Sequence, residues 1–453
     1  MKPNVIIFFT DQQRWDTLGL NGNPLGLTPN FDRYARQGTF LKHAVTCQPV
    51  CGPARSCLQT GQYSTETGVW RNGNCLRKDA ITLAKCYRGA GYRTGYIGKW
   101  HLAGKDQGKG PVKEKYRGGY QDWLAANTVE TTSGPFSTIL WNEKNEPVRL
   151  PGYRVDAMTD AAIRYIDKRA AENEQPFMLC LSLLEPHHQN TNDSFPAPPG
   201  YEEFFTGRWT PPDLQALGGS SAQHIAGYYG MVKRVDEALG RLMDAVHSLG
   251  IANHTITAFV SDHGCHFKTR NAEYKRTPHE SSVRIPLALW GTEFDGGGEL
   301  REATGLINLP PSLLDACGIA PPDSMQALSI LPLLKHQRRN WPKESYIQFG
   351  DNNVRTGRAL RSDRWKYAVS IPKDTKPAPH AKVYEETHLY DLQADPYELR
   401  NLIEEEAYQT IRKHFRQRIR SWLKETNEPP AEIIPATTKP SGQLSIDYPC
   451  GEN

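Results

Sequence analysis

The sequence predicts an α/β protein: a large, mostly parallel or mixed sheet sandwiched by helices, followed by a smaller antiparallel sheet with one helix. Three observations carry this. Apolar runs that end in polar residues recur at 5–9, 95–98, 177–184, 255–260 and 285–290, with helical patterns between them. That alternation belongs to a sheet covered on both faces. From about Trp341 the texture changes to short alternating segments, as in antiparallel strands. Finally, 453 residues that are 38% hydrophobic and 23% charged can bury enough apolar surface to offset the entropy of folding.

The first run, Val5-Ile6-Ile7-Phe8-Phe9, is broken by Thr10-Asp11 and reads as a buried strand. A membrane span needs roughly 20 apolar residues. The run also lacks the features of a secretory signal, so the chain as written is expected in the cytoplasm, or in the periplasm or outside the cell if a leader has been trimmed. Helices are expected at 28–37, with Thr28 as the cap and Pro29 at the first position, at Leu83–Gly89, at 155–173 and at 224–249. Segments 105–150, rich in Gly and Lys, and 188–221, rich in Pro and Gly, read as long connections that shape a mouth. Further on, strands at 345–349, 359–360, 365–370 and 389–392 precede a charged helix near 404–424. The Pro-rich tail 429–453 is expected to lie extended over a surface. Two units follow, 1–338 and 339–453.

A net charge of +4 over the whole length is too dilute for a phosphate-tracking surface, so neither nucleic acid nor membrane is an expected partner. The nine cysteines are odd in number and scattered, which fits free thiols. Cys47, Cys51 and Cys57 lie close together without a Cys-x2-Cys pair, which argues against zinc. Ligands of open α/β sheets gather at the carboxyl ends of strands, and here those ends carry Asp11, His101, His187 and Asp262.

The segment Pro49-Val50-Cys51-Gly52-Pro53-Ala54-Arg55-Ser56-Cys57-Leu58-Gln59-Thr60-Gly61 resembles the sulfatase signature, Cys-x-Pro-x-Arg followed by Thr-Gly. Gln59 departs from it, standing where the family usually has an aliphatic residue. A second family signature is matched by Gly91-Tyr92-Arg93-Thr94-Gly95-Tyr96-Ile97-Gly98-Lys99-Trp100-His101. The resemblance continues through Ser261-Asp262-His263-Gly264, Lys275-x4-Glu280-x3-Arg284-Ile285-Pro286 and Leu389-Tyr390-Asp391-Leu392, and so covers most of the chain.

This resemblance implies an alkaline-phosphatase-like fold and a first unit that is catalytic. It also implies that a maturation enzyme oxidises Cys51 to formylglycine, whose hydrate has two hydroxyls on one carbon. One attacks sulfur and the other expels sulfate, whereas a plain serine would be left as a sulfate ester with no easy release. By the same resemblance Arg55 and Lys99 hold the hydroxylate, His101 assists sulfate release, and His187 with Lys275 contacts sulfate and protonates the leaving oxygen. Asp11 and Gln12 follow one strand and Asp262 and His263 another, a donor set suited to one divalent cation, with Cys51 as a further ligand. Many relatives carry Asp at position 12 and Asn at 263. Two carboxylates here replace three, so calcium is the family expectation while magnesium and manganese are less excluded.

The expected substrate is a small sulfated carbohydrate. Arg71, Asn74 and His188 flank the motifs, Arg358 lies in the second unit, and sugar hydroxyls or acidic groups need such donors. An aryl group needs an apolar slot, and no apolar cluster flanks the motifs. Two alternatives stay open: a phosphonate or phosphate diester hydrolase of the same superfamily, compatible with Asp11-Gln12, and a non-catalytic binding protein that keeps Cys51 as a thiol.

Overall fold

The computed structural model describes residues 2–440 except Asn173 and Asn353. Ten strands form the large sheet: β1 (Asn4–Thr10), β2 (Thr39–Leu41), β3 (Arg93–Lys99), β4 (Asp122–Ala126), β5 (Ser137–Asn142), β6 (Pro147–Pro151), β7 (Phe177–Ser182), β8 (Thr255–Ser261), β9 (Leu287–Trp290) and β10 (Gly298–Leu300). Their spatial order is β10-β2-β9-β8-β1-β7-β3-β4-β5-β6. The centre, β8-β1-β7-β3-β4, is parallel throughout, and β9, β5 and β6 pair antiparallel with their neighbours.

Side chains alternate across a strand, and both faces of β1 are buried. Val5, Ile7 and Phe9 join one apolar core, Ile6 and Phe8 the other. The second face is covered by α1 (Pro29–Gln37) and by the helices Arg154–Glu172 and Ser221–Ser248, through Phe31, Met158, Ile166, Val235 and Leu242. On the first face lies α2 (Cys51–Thr60), together with side chains of the second sheet such as Tyr346, Leu360 and Tyr367. That sheet comprises β11 (Ser345–Asp351), β12 (Val354–Arg361), β13 (Trp365–Ser370), β14 (Val383–Asp391) and β15 (Glu432–Ile434), backed by the helix Gln409–Glu425.

Three expectations need correction. The 105–150 connection contains β4, β5 and β6. Its Gly and Lys content hid an inner strand and an edge hairpin whose outer residues are solvated, so no long apolar run marks them. The 188–221 connection holds two short helices, Tyr201–Phe205 and Pro212–Ala216. Within the tail, Glu432–Ile434 pairs parallel with β14, and its remainder from 441 lies outside the described residues. The last residue of the expected 155–173 helix, Asn173, also lies outside them. No helix among the described residues is long and apolar enough to cross a membrane.

Candidate active site

Five parallel strands point their carboxyl ends toward one site. β1 delivers Asp11 and Gln12, β3 delivers Lys99 and His101, β4 leads to Glu130, β7 to His187, and β8 to Asp262 and His263. α2 begins at Cys51 and is buried along its whole length. A helix N-terminus leaves backbone N–H groups free and favours negative charge beside it. The Gly52 N–H is satisfied by Asn72 Oδ1 at 2.9 Å. Gln59, the departure from the signature, is buried and accepts from the Tyr120 hydroxyl at 3.0 Å.

Cys51 Sγ lies 2.9 Å from Lys275 Nζ, 3.3 Å from His263 Nε2, 3.5 Å from Asp11 Oδ1 and 3.8 Å from Lys99 Nζ. Burial pushes this thiol up, but Lys275, Lys99 and His263 outweigh burial and hold it well below its ordinary value. The surroundings therefore stabilise negative charge at this atom. His101 Nδ1 is buried without a hydrogen-bond partner.

Arg55 is a fork that braces the site. It donates to Asp11 Oδ2 at 2.9 Å, and to the Lys99 carbonyl and Ser182 Oγ at 2.7 Å each. Lys99 Nζ donates to Asp11 Oδ2 at 2.8 Å and faces Glu130 Oε1 at 3.1 Å. Burial and Cys51 raise the Asp11 carboxyl, yet Lys99, His187 and Arg55 keep it well below the usual range. His187 Nδ1 donates to the His188 carbonyl at 2.7 Å, which leaves Nε2 as an acceptor 3.2 Å from Lys275 Nζ.

The donor set fits a divalent cation. Asp11, Cys51, Asp262 and His263 offer ligand atoms all within 4.8 Å of one another. His263 Nδ1 donates to the Gly264 carbonyl at 2.9 Å, which fixes the tautomer and turns the Nε2 lone pair toward Asp11 and Asp262. Asp262 Oδ2 and Gln12 Oε1 are buried without a hydrogen-bond partner. The Asp262 carboxyl is pushed up to about 7 by burial and by the Asp11 charge, the mark of a carboxylate that needs a cation. Gln12 Nε2 sits 3.5 Å from both His188 Nδ1 and Cys265 Sγ, so its carbonyl is the end left free. Gln12 and His101 have φ of 69° and 60°, conformations that cost free energy and cluster at working sites.

The structure thus gathers Asp11, Gln12, Cys51, Arg55, Lys99, His101, His187, Asp262, His263 and Lys275 in one place. His188, half-buried, stacks on His187 at 4.4 Å between ring centroids and lies tilted against Tyr274 at 4.5 Å. Arg71 lies over Trp70 and bonds Asn352 of the β11–β12 turn, and Asn74 is half-buried nearby in sequence. Arg358 is a correction: it is 1% exposed, and its guanidinium is taken by Glu428 at 3.0 Å and by backbone carbonyls. A buried arginine must satisfy its charge locally, and this one, on β12 of the second sheet, does so with Glu428. Three contributors escaped sequence reasoning: Ser182, Tyr96, whose hydroxyl donates to the Lys99 carbonyl at 2.6 Å, and Glu130. Glu130 falls in the segment read as a connection, where no signal marked it.

A sulfatase family model matches residues 3–319, and one described as N-sulphoglucosamine sulphohydrolase, C-terminal, matches residues 272–425. The ulvan-active sulfatase of Formosa agariphila is 27% identical, aligned over 94% of this chain and 82% of its own. The N-acetylglucosamine-6-O-sulfatase of Bacteroides thetaiotaomicron is 23% identical over 92% of this chain and 85% of its own. Among solved structures, YidJ of Bacteroides fragilis superposes with a TM-score of 0.81 at 26% identity, covering 94% of this chain and 97% of that one. Signature segments converging on a single buried site, and a family match over well over half the length, have one consequence: the chain belongs to the sulfatase family of alkaline-phosphatase-like enzymes and is a sulfuric ester hydrolase.

Proposed function

We propose that this enzyme hydrolyses a sulfate ester of a carbohydrate, with Cys51 matured to formylglycine and one divalent cation, most simply calcium, held by Asp11, Gln12, Asp262 and His263 together with the matured residue. The carrying observation is the Cys51 side chain at a helix N-terminus, 2.9 Å from Lys275, 3.3 Å from His263 and 3.8 Å from Lys99. The relatives named for ulvan and for N-acetylglucosamine 6-O-sulfate support a saccharide substrate. When present, formylglycine supplies the hydroxyl that attacks sulfur, and the cation supplies charge that polarises the sulfate oxygens.

The chain's own residues do the rest. Lys99 and Arg55 share Asp11 and are held rigid, so their charge faces the nucleophile without reorganisation. Lys275 lies between Cys51 and the Nε2 atoms of His187 and His263, where sulfate oxygens need cationic donors. His187, with Nδ1 tied to a carbonyl, turns its Nε2 lone pair toward Lys275 Nζ at 3.2 Å, from which it can take a proton and pass it to the leaving oxygen. On the other flank, His101, just beyond the carboxyl end of β3 and with Nδ1 unpartnered, is the residue assigned to accept a proton when sulfate departs.

The test is mass spectrometry of the Cys51 peptide from active enzyme, combined with sulfate release from a panel of sulfated mono- and oligosaccharides and phenol release from phenyl phosphonate esters. Formylglycine at Cys51 and release of sulfate from a saccharide are expected. A fully unmodified thiol in active protein, or turnover of phosphonates alone, would overturn the proposal.

A further inference from the structure

We propose that Glu130 is a specificity-determining residue of this site. It accepts a hydrogen bond from a hydroxyl or ammonium group that neighbours the scissile sulfate ester on the substrate. The inference rests on the sulfate-ester reading above and deepens it.

Glu130 lies in the one-turn helix Val129–Thr132, directly beyond the carboxyl end of β4, next to the strand that delivers Lys99. The carboxylate is 6% exposed. Its Oε1 faces Lys99 Nζ at 3.1 Å, and that ammonium is in turn 3.8 Å from Cys51 Sγ. Its Oε2 is buried and has no hydrogen-bond partner. Leaving a buried carboxylate oxygen unpaired is costly. Pairing with Lys99 engages Oε1 and leaves Oε2 without a partner.

The backbone that carries Glu130 is clamped. Gln189 donates to the Glu130 carbonyl at 3.1 Å, the His101 N–H donates to the Asn127 carbonyl at 2.8 Å, and Asn127 Nδ2 donates to the Gly104 carbonyl at 2.9 Å. An ionised carboxylate only accepts, so its partner must be a donor. Among substituents beside a sulfate ester on a sugar, those are a hydroxyl or an ammonium. A second anionic group at that position meets repulsion and is discriminated against.

The test uses the mature, metal-loaded full chain with three esters: phenyl sulfate, 2-hydroxyphenyl sulfate and 2-methoxyphenyl sulfate, with released sulfate measured. Wild type is expected to favour the 2-hydroxy ester over the methoxy ester. Glu130→Ala should lower kcat/KM for the 2-hydroxy ester about tenfold beyond whatever it does to the other two, as for a site built to pair a substrate hydroxyl. Melting temperatures report folding, and Glu130→Gln, which keeps the shape, carries the comparison if the alanine variant does not fold. An equal loss on all three esters would overturn the proposal and leave Glu130 as a seat for Lys99 alone. Wild type releasing sulfate from none of these esters and from no member of the saccharide panel would instead sink the sulfate-ester reading.

Discussion

Cys51 and Asp262 are where single atoms decide the outcome. Cys51 is 1% exposed at the start of a helix already packed by Ala54, Cys57 and Leu58. Cys51→Ala is expected to abolish sulfate release and to shift stability by no more than about 1 kcal/mol, since one small atom leaves a large core; activity and thermal melting check both halves. Asp262 should behave differently. Burial and the Asp11 charge disfavour its ionised form, and the Arg55 Nε that faces it stands 3.7 Å away, so chelation is expected to lower the melting temperature of the wild type and restored calcium to raise it, by mass action on the folded state. Asp262→Ala should lose both activity and this chelation-sensitive shift. If exhaustively demetallated wild type kept its melting temperature and its activity, the cation site would be misassigned.

Among the elements, α1 shows how far a cap can come from. The sequence has Thr28 before Pro29 and invites a local cap, yet Thr28 makes no capping bond and instead accepts from the Gly19 N–H at 3.1 Å. The free N–H groups of Asn30 and Phe31 go to Asp236, 3.0 and 2.8 Å away, on the Ser221–Ser248 helix. Asp236→Ala is therefore expected to cost about 1 to 2 kcal/mol, the usual value of a lost cap, whereas Thr28→Val should cost less; denaturant melts of both variants decide it. β4 teaches the same lesson in another form. Its residues Asp122-Trp123-Leu124-Ala125-Ala126 lie in a stretch dominated by glycine and lysine, and only the tertiary fold shows that they pair with β3 and lead to Glu130.

At the scale of the molecule, two buried ionic groups hold the second sheet. Lys366 reaches from β13 to Glu280 at 2.5 Å and Glu398 at 3.1 Å, which ties the segment after Lys275 to the second sheet. Arg358 pairs with Glu428, both about 1% exposed. Burial raises the Glu428 carboxyl, but Arg358 and His380 outweigh it and hold it at about 2. A carboxylate with a depressed value contributes stability above its ordinary value of 4.5 and loses it as pH falls toward 2. The melting temperature of the wild type should therefore decline through that window, and Glu428→Gln should start lower and decline less steeply. Arg358→Ala, by leaving Glu428 buried and unpaired, is expected to cost about 3 to 5 kcal/mol. It should leave KM for a small sulfate ester unchanged, which separates it from the substrate contact its sequence position first invited.

What the sequence determined by itself was what depends on neighbours along the chain. The central strands and the long amphipathic helices could be read because periodicity records local geometry, and the motif residues around Cys51, Lys99 and His263 because they resemble the sulfatase signatures. Tertiary structure alone decided which charges share an atom. Arg358 looks like a free guanidinium in sequence and proves to be spent on Glu428, while Glu130 looks like a loop residue and proves to be buried beside Lys99. The physical reason is that burial and pairing are set by contacts across long stretches of chain, 70 residues for Arg358 and Glu428 and 88 for Lys99 and Asp11, and these leave no pattern in the neighbourhood of either partner.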